Sequence, residues 1–149
     1  AETPEGAWTR LRDRREEHGP LAGIETALEH AAHRGHDAVV VLAVDLPLVD
    51  AAAVEALLRG YAETERVAGE PGPVAAARDG VPDFEPLCAV YPTGCLARVR
   101  ELLDSGELAA QSLFVACAGV RVEGIEGARH NVNDEQGLTA AARALEARP

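Results

Sequence analysis

A chain of 149 residues with 47% hydrophobic content can bury a core of its own, and its length predicts one domain over residues 1–149. A formal net charge of −11 argues against a nucleic-acid binder, since neutralising phosphates along a polymer needs a basic surface. The longest apolar run, residues 38–44, is far short of the ~18 needed to cross a bilayer, so neither a membrane span nor a signal peptide is expected.

Residues 1–18 are polar, with a short strand expected at residues 8–11. Arg10, Arg12, Arg14 and Arg15 then gather just before Gly19. They are either a cationic focus for a small anion or a solvated segment balanced by Glu16 and Glu17. From Pro20 the pattern turns helical, with Leu21, Ile24, Leu28 and Ala31 on one face and Gly35 as the terminating residue. His30, His33 and His36 recur every three residues, a spacing that drifts around a helix, so they read as solvated or helix-end groups. Residues 38–44, β-branched and uninterrupted, predict a fully buried parallel strand that stops at Asp45, Leu46 and Pro47.

Asp50 is placed to cap a second helix carrying Val54, Leu57, Leu58 and Tyr61, which ends before residues 70–73. Residues 74–78 and 87–91 are strand-like and flank an Asp79-Gly80 turn signal, predicting an antiparallel excursion. Thr93 is expected to cap a helix with Leu96, Val99, Leu102 and Leu103, closed by Gly106. A short apolar helix over 108–118 and a strand over 120–125 follow. The last helix is expected from an Asp134 cap through Leu138, Ala141, Ala142 and Leu145. Helices alternating with strands imply a layered α/β sheet. Cys88, Cys95 and Cys117 show no metal-type spacing, and their odd number suits reduced thiols acting as core filler in a cytoplasmic protein.

Open α/β sheets bind ligands at the carboxyl ends of their strands, which is where Asp45 stands. Mg²⁺ takes one or two protein carboxylates together with phosphate oxygens and water, so one well-held aspartate can anchor it. A lone strand-end aspartate is nevertheless more often a strand terminator bonded to a nearby loop. Gly19, Pro20, Leu21, Ala22 and Gly23 join a tight turn to a helix start, where backbone can approach a ligand or simply pack on the sheet. Asn131 and Asn133 offer amide donors and carbonyl acceptors, or turn and cap chemistry, before the last helix.

Taken in order, four segments resemble the molybdenum cofactor guanylyltransferases of the MobA-like nucleotidyltransferase family. They are Asp13-Arg14-Arg15 followed by the Gly19 to Gly23 turn, Asp45-Leu46-Pro47 after the strand, residues 86–92, and Asn131-Val132-Asn133. The resemblance covers essentially the whole chain but only about the C-terminal two thirds of the family pattern. It implies a three-layer, Rossmann-like α/β fold with a mostly parallel sheet, from which the N-terminal strands are missing. It also implies transfer of GMP from GTP to molybdopterin, with Mg²⁺ as cofactor and molybdoenzyme-maturation proteins as further partners.

By position, the resemblance makes Asp45 the catalytic and Mg²⁺-binding carboxylate. Asp13, Gly19, Pro20, Leu21, Gly23 and Asp45 would bind the nucleotide, and Asn131 and Asn133 the pterin-side substrate. The family's glycine-rich phosphate loop with its Arg and following Lys is not found here, and the chain contains no Lys at all. The expected consequences are an exposed sheet edge and an activity that needs a further segment. A sister enzyme using CTP or another acceptor, and a non-catalytic binding module, are the competing readings.

Overall fold

Helix α1, Gly19–His33, begins where Pro20 pre-sets the helical backbone and ends where Gly35 takes the left-handed conformation, φ +75°. The computed structural model describes residues 9–15, 17–129, 132 and 135–146. Within them follow β1 (Ala38–Leu42), α2 (Ala51–Ala68), β2 (Val74–Ala77) and β3 (Phe84–Pro92). A 3-10 turn, Thr93–Cys95, leads into α3 (Leu96–Asp104), then come α4 (Ala110–Ala116), β4 (Val120–Val122), a second 3-10 turn (Glu126–Arg129) and α5 (Glu135–Glu146).

The four strands form one sheet in the order β1-β3-β2-β4. β3 is antiparallel to both neighbours while β2 and β4 are parallel, so three of the four strands point one way. The predicted antiparallel excursion is the β2–β3 pair, which turns through residues 78–83. Period-two alternation divides the sheet between two cores. Ala75, Ala89 and Tyr91 face α1, α3 and α4 with Leu21, Ile24, Leu28, Val99 and Leu113. Val74, Ala76, Cys88 and Val90 face the opposite side with Leu57 of α2, Leu46 and Ile125. The result is the expected three-layer α/β fold.

α2 starts as predicted, with the Asp50 carboxylate accepting the Ala53 N–H at 3.0 Å. Its inward face runs through Ala53, Leu57 and Gly60, whereas Leu58 points to solvent. Gly60 lets the helix settle closely: a methyl group there would stand 2.6 Å from a Val122 methyl.

Several expectations are corrected. β1 is neither fully buried nor paired in parallel: it is an edge strand, antiparallel to β3, and Val40 and Leu42 are 39% and 44% exposed. α2 packs chiefly on β2, β3 and β4; of β1 only Ala38 is packed against that core, while Val40 and Leu42 stay open. Residues 9–11 form no strand, and Trp8 lies outside the described residues. Thr93 does not cap α3; its hydroxyl donates to the Asp37 carbonyl at 3.0 Å, tying the end of β3 to the start of β1. The last strand is shorter than expected, Val120–Val122. In α5 Ala141 is buried but Leu138 is 60% exposed, and the expected Asp134 cap lies outside the described residues.

The arginine cluster is partly committed to structure. Arg15 Nε donates to Glu25 at 3.1 Å, its guanidinium also meets Asp104 at 2.8 Å, and Arg14 meets Glu29 at 2.8 Å. Arg100 of α3 donates to Glu25 and Glu29 from the other side, at 3.2 and 2.8 Å. Glu25, itself buried, therefore joins Arg15, α1 and α3. Glu25→Ala is expected to destabilise the chain by about 2 kcal/mol, less than a wholly buried pair, because both arginines can regain water. A urea titration checks this, and a midpoint equal to wild type would refute the clasp.

Candidate nucleotide site

The strand end that carries Asp45 is held by its surroundings rather than by its own turn alone. The β1–β3 ladder continues one residue beyond β1, with the Ala43 N–H donating to the Leu87 carbonyl at 2.8 Å. Leu46 is buried in the second core beside Ile125 and Ala128. The Asp45 carbonyl accepts the Val132 N–H at 2.9 Å. Gly127 lies flat against the same loop, and a Cβ there would stand 2.4 Å from the Leu48 carbonyl oxygen. Ile125, Gly127, Ala128 and Val132 thus clasp residues 45–49 across the tertiary fold.

This clasp was not legible beforehand. Gly127 and Val132 carry no spacing signal, and only the presence of a glycine hinted at a close approach. Asn131 and Asn133 lie outside the described residues; Val132 between them is the observed contact with Asp45.

Asp45 shares a groove of about 590 Å³ with Pro20, Gly23, Ile24 and Val41, running along the open edge of β1 beside the first turns of α1. Gly19 opens that helix with φ +63° and stands 3.3 Å, from its would-be Cβ, to the Leu108 carbonyl. Leu21 is wholly buried in the first core, so any contact it makes with a ligand is through its backbone. Both Asp13 carboxylate oxygens lie 3.9 Å from where a Gly23 Cβ would be, which brings this exposed aspartate onto the first turns of α1. The structure therefore brings Pro20, Gly23 and Asp45 to one groove and sets Asp13 against Gly23.

The Asp45 side chain is half-buried, and among the described residues no arginine or histidine forms an ion pair with it. No group of three metal-ligating side chains occurs among the described residues, which includes the helix histidines. A single carboxylate whose backbone is pinned from two sides fits the needs of Mg²⁺, which draws most of its ligands from water and phosphate. A helix start and a strand-end carboxylate on one groove of a layered sheet is the layout of an α/β nucleotide-handling protein.

The comparisons give the family. A family model described as MobA-like NTP transferase domain matches residues 2–120, and the chain belongs to that family. Among curated relatives, the molybdenum cofactor guanylyltransferase of Ectopseudomonas mendocina is 35% identical over 132 residues, covering 87% of this chain and 59% of the relative. The Opitutus terrae protein named probable molybdenum cofactor guanylyltransferase is 39% identical over 98 residues, covering 66% of this chain and 44% of that one. The chain spans about half the length of these curated relatives.

Two crystal structures share the fold. Molybdopterin-guanine dinucleotide biosynthesis protein A from Archaeoglobus fulgidus superposes with a TM-score of 0.66 at 22% identity, covering 87% of this chain and 64% of that one. A protein from Aquifex aeolicus VF5 gives 0.66 at 24% identity, covering 83% and 60%. Among the described residues, no helix is long and apolar enough to cross a membrane.

Proposed function

We propose that this chain carries the metal-binding and acceptor-side part of a guanylyltransferase that moves GMP from GTP to molybdopterin and releases pyrophosphate. The observation that supports this most is the pinned Asp45 carboxylate at the mouth of a groove that also contains the first turns of α1. The relatives' name, molybdenum cofactor guanylyltransferase, supports this reading.

In this reading Asp45 holds Mg²⁺, which offsets phosphate charge when bound. Asp13 and the backbone of residues 19–23 contact the nucleotide, with the N–H groups and dipole of α1 favouring its anionic end. Asn131 and Asn133, flanking the Val132 contact, face the pterin-side substrate. Attack by an acceptor phosphate on the α-phosphate depends on alignment and on neutralising charge, so catalysis rests on positioning more than on proton transfer.

The cationic half of the site is supplied by a strand that pairs with the open edge of β1, next to Asp45. The open backbone of β1 and the exposed Val40 and Leu42 support that placement. Molybdoenzyme-maturation proteins are the expected recipients of the product.

The test is pyrophosphate release from GTP, in the presence of Mg²⁺ and molybdopterin, by a protein of the relatives' full length. Turnover with GTP and not CTP is the expected result. Preference for CTP would assign a sister transferase, and binding of GTP without turnover would assign a non-catalytic module.

A further inference from the structure

β3 is interrupted where it passes between its two neighbours. Ala75 of β2 faces Ala89, yet the next residue, Ala76, faces Glu85, so Pro86, Leu87 and Cys88 loop out of that ladder. On the other side Cys88 still pairs with Leu42 of β1. A looped-out segment inside a sheet leaves backbone groups that need partners from elsewhere. Two side chains provide them. Pro86 has no N–H, and its carbonyl accepts the Tyr91 hydroxyl at 2.9 Å. The Leu87 N–H donates to one Glu85 carboxylate oxygen at 3.1 Å. The other oxygen accepts Arg78 Nη1 at 2.9 Å, while Arg78 Nε donates to the Pro82 carbonyl at 3.1 Å. Glu85 is 8% exposed and Tyr91 is wholly buried.

The same segment reaches the candidate nucleotide site. The Leu87 carbonyl accepts the Ala43 N–H at 2.8 Å, two residues before Asp45, and Leu87 lines the groove that contains Asp45. The strand end that presents the carboxylate is therefore held from the β3 side by a loop whose shape depends on Glu85 and Tyr91.

We propose that Glu85, supported by Tyr91, is a positioning residue for Asp45, a role that rests on the metal-binding function assigned to that aspartate. Glu85 touches no reacting group; it acts through Leu87 and Ala43. An ion pair with Arg78 would by itself serve stability alone. The second carboxylate oxygen, on the Leu87 amide, is what couples Glu85 to the strand end. Without it that amide has no side-chain acceptor, the loop relaxes, and the Leu87 carbonyl and the Ala43 strand end move with it. Mg²⁺ demands near-ideal octahedral geometry, so a small displacement of its one protein carboxylate weakens the site.

Two measurements test this. In the chain itself, amide hydrogen exchange is followed by NMR for wild type, Glu85→Ala and Tyr91→Phe. The Leu87 and Ala43 amides are expected to exchange about 10-fold faster relative to that of Val90, which stays within the regular part of β3. In a protein of the relatives' full length, the Mg²⁺ concentration for half-maximal pyrophosphate release from GTP is expected to rise about 10-fold in Glu85→Ala. A smaller rise is expected in Tyr91→Phe, which keeps the ring and its volume and so serves if the first variant does not fold. Val99→Ala, a loss of buried volume on α3, lowers the Tm and leaves the Mg²⁺ requirement unchanged. The positioning role is overturned if Leu87 and Ala43 exchange no faster than Val90, or if Val99→Ala raises the Mg²⁺ requirement as much as Glu85→Ala. Asp45→Ala separates the two levels of inference. Unchanged turnover in that variant sinks the transferase reading itself, whereas lost turnover beside a wild-type Mg²⁺ requirement in Glu85→Ala and Tyr91→Phe sinks the positioning role alone.

Discussion

Alanine at position 45 is expected to lower Mg²⁺-dependent pyrophosphate release from GTP by about 100-fold or more in a full-length protein, with no loss of stability. The expected size follows from the several kcal/mol that a well-placed metal ion contributes to charge stabilisation in phosphoryl transfer. The expected lack of a folding defect follows from the structure. Asp45 contributes its backbone carbonyl to Val132, and alanine keeps that hydrogen bond. No arginine or histidine among the described residues pairs with its carboxylate. A steady-state assay beside a urea titration separates the two roles a strand-end aspartate can have. Loss of turnover at unchanged stability identifies a metal carboxylate. Unchanged turnover, or loss in step with unfolding, would identify a structural terminator and sink the assignment.

Gly127→Ala is expected to act on the same residue from a distance. The added methyl would meet the Leu48 carbonyl oxygen at 2.4 Å, its carbon at 2.6 Å and the Val49 nitrogen at 2.7 Å. These are backbone atoms, so no side-chain rotation relieves the overlap and the loop that follows Asp45 must move. The expected cost is about 2 kcal/mol, within the range for forcing extra volume into a packed region, with a fall in Tm of about 6 °C for a domain of this size. In the full-length enzyme the Mg²⁺ concentration for half-maximal activity should rise several-fold, because misplacing a ligand by about 1 Å weakens the alignment that catalysis needs. Gly94→Ala is the control, since nothing lies within 4 Å of a Cβ there. Equal Tm values for the two variants would refute the clasp, and a changed Tm with an unchanged Mg²⁺ requirement would confine it to folding.

Local chemistry made much of the fold legible. Pro20 and Gly35 bracket α1 because one fixes φ and the other tolerates a positive φ, and both preferences act within a single turn. Asp50 caps α2 because its carboxylate needs only the N–H three residues on. The Asp79-Gly80 signal announced the β2–β3 pairing for the same reason. The order of motifs around Asp13, Gly19, Asp45 and Asn131 pointed to the family that the matched domain establishes.

What the amino-acid order could not determine is what lies beside each element. The run at residues 38–44 has the composition of a central strand, but burial depends on neighbours, and among the described residues β1 pairs with one strand only and packs just Ala38 against the core beneath α2. Leu58 and Leu138 fit their helical stripes by spacing and still face solvent, because hydrophobic periodicity gives an axis and not the position of the covering layer. The arginines before Gly19 read equally as an anion focus or as a solvated segment, and only α1 and α3 bring Glu25, Glu29 and Asp104 against Arg14 and Arg15. Asp45 was visible as a carboxylate at the end of a strand. Its clasp by Gly127 and Val132 was not, since those contacts join residues about eighty positions apart and exist only once both cores have packed.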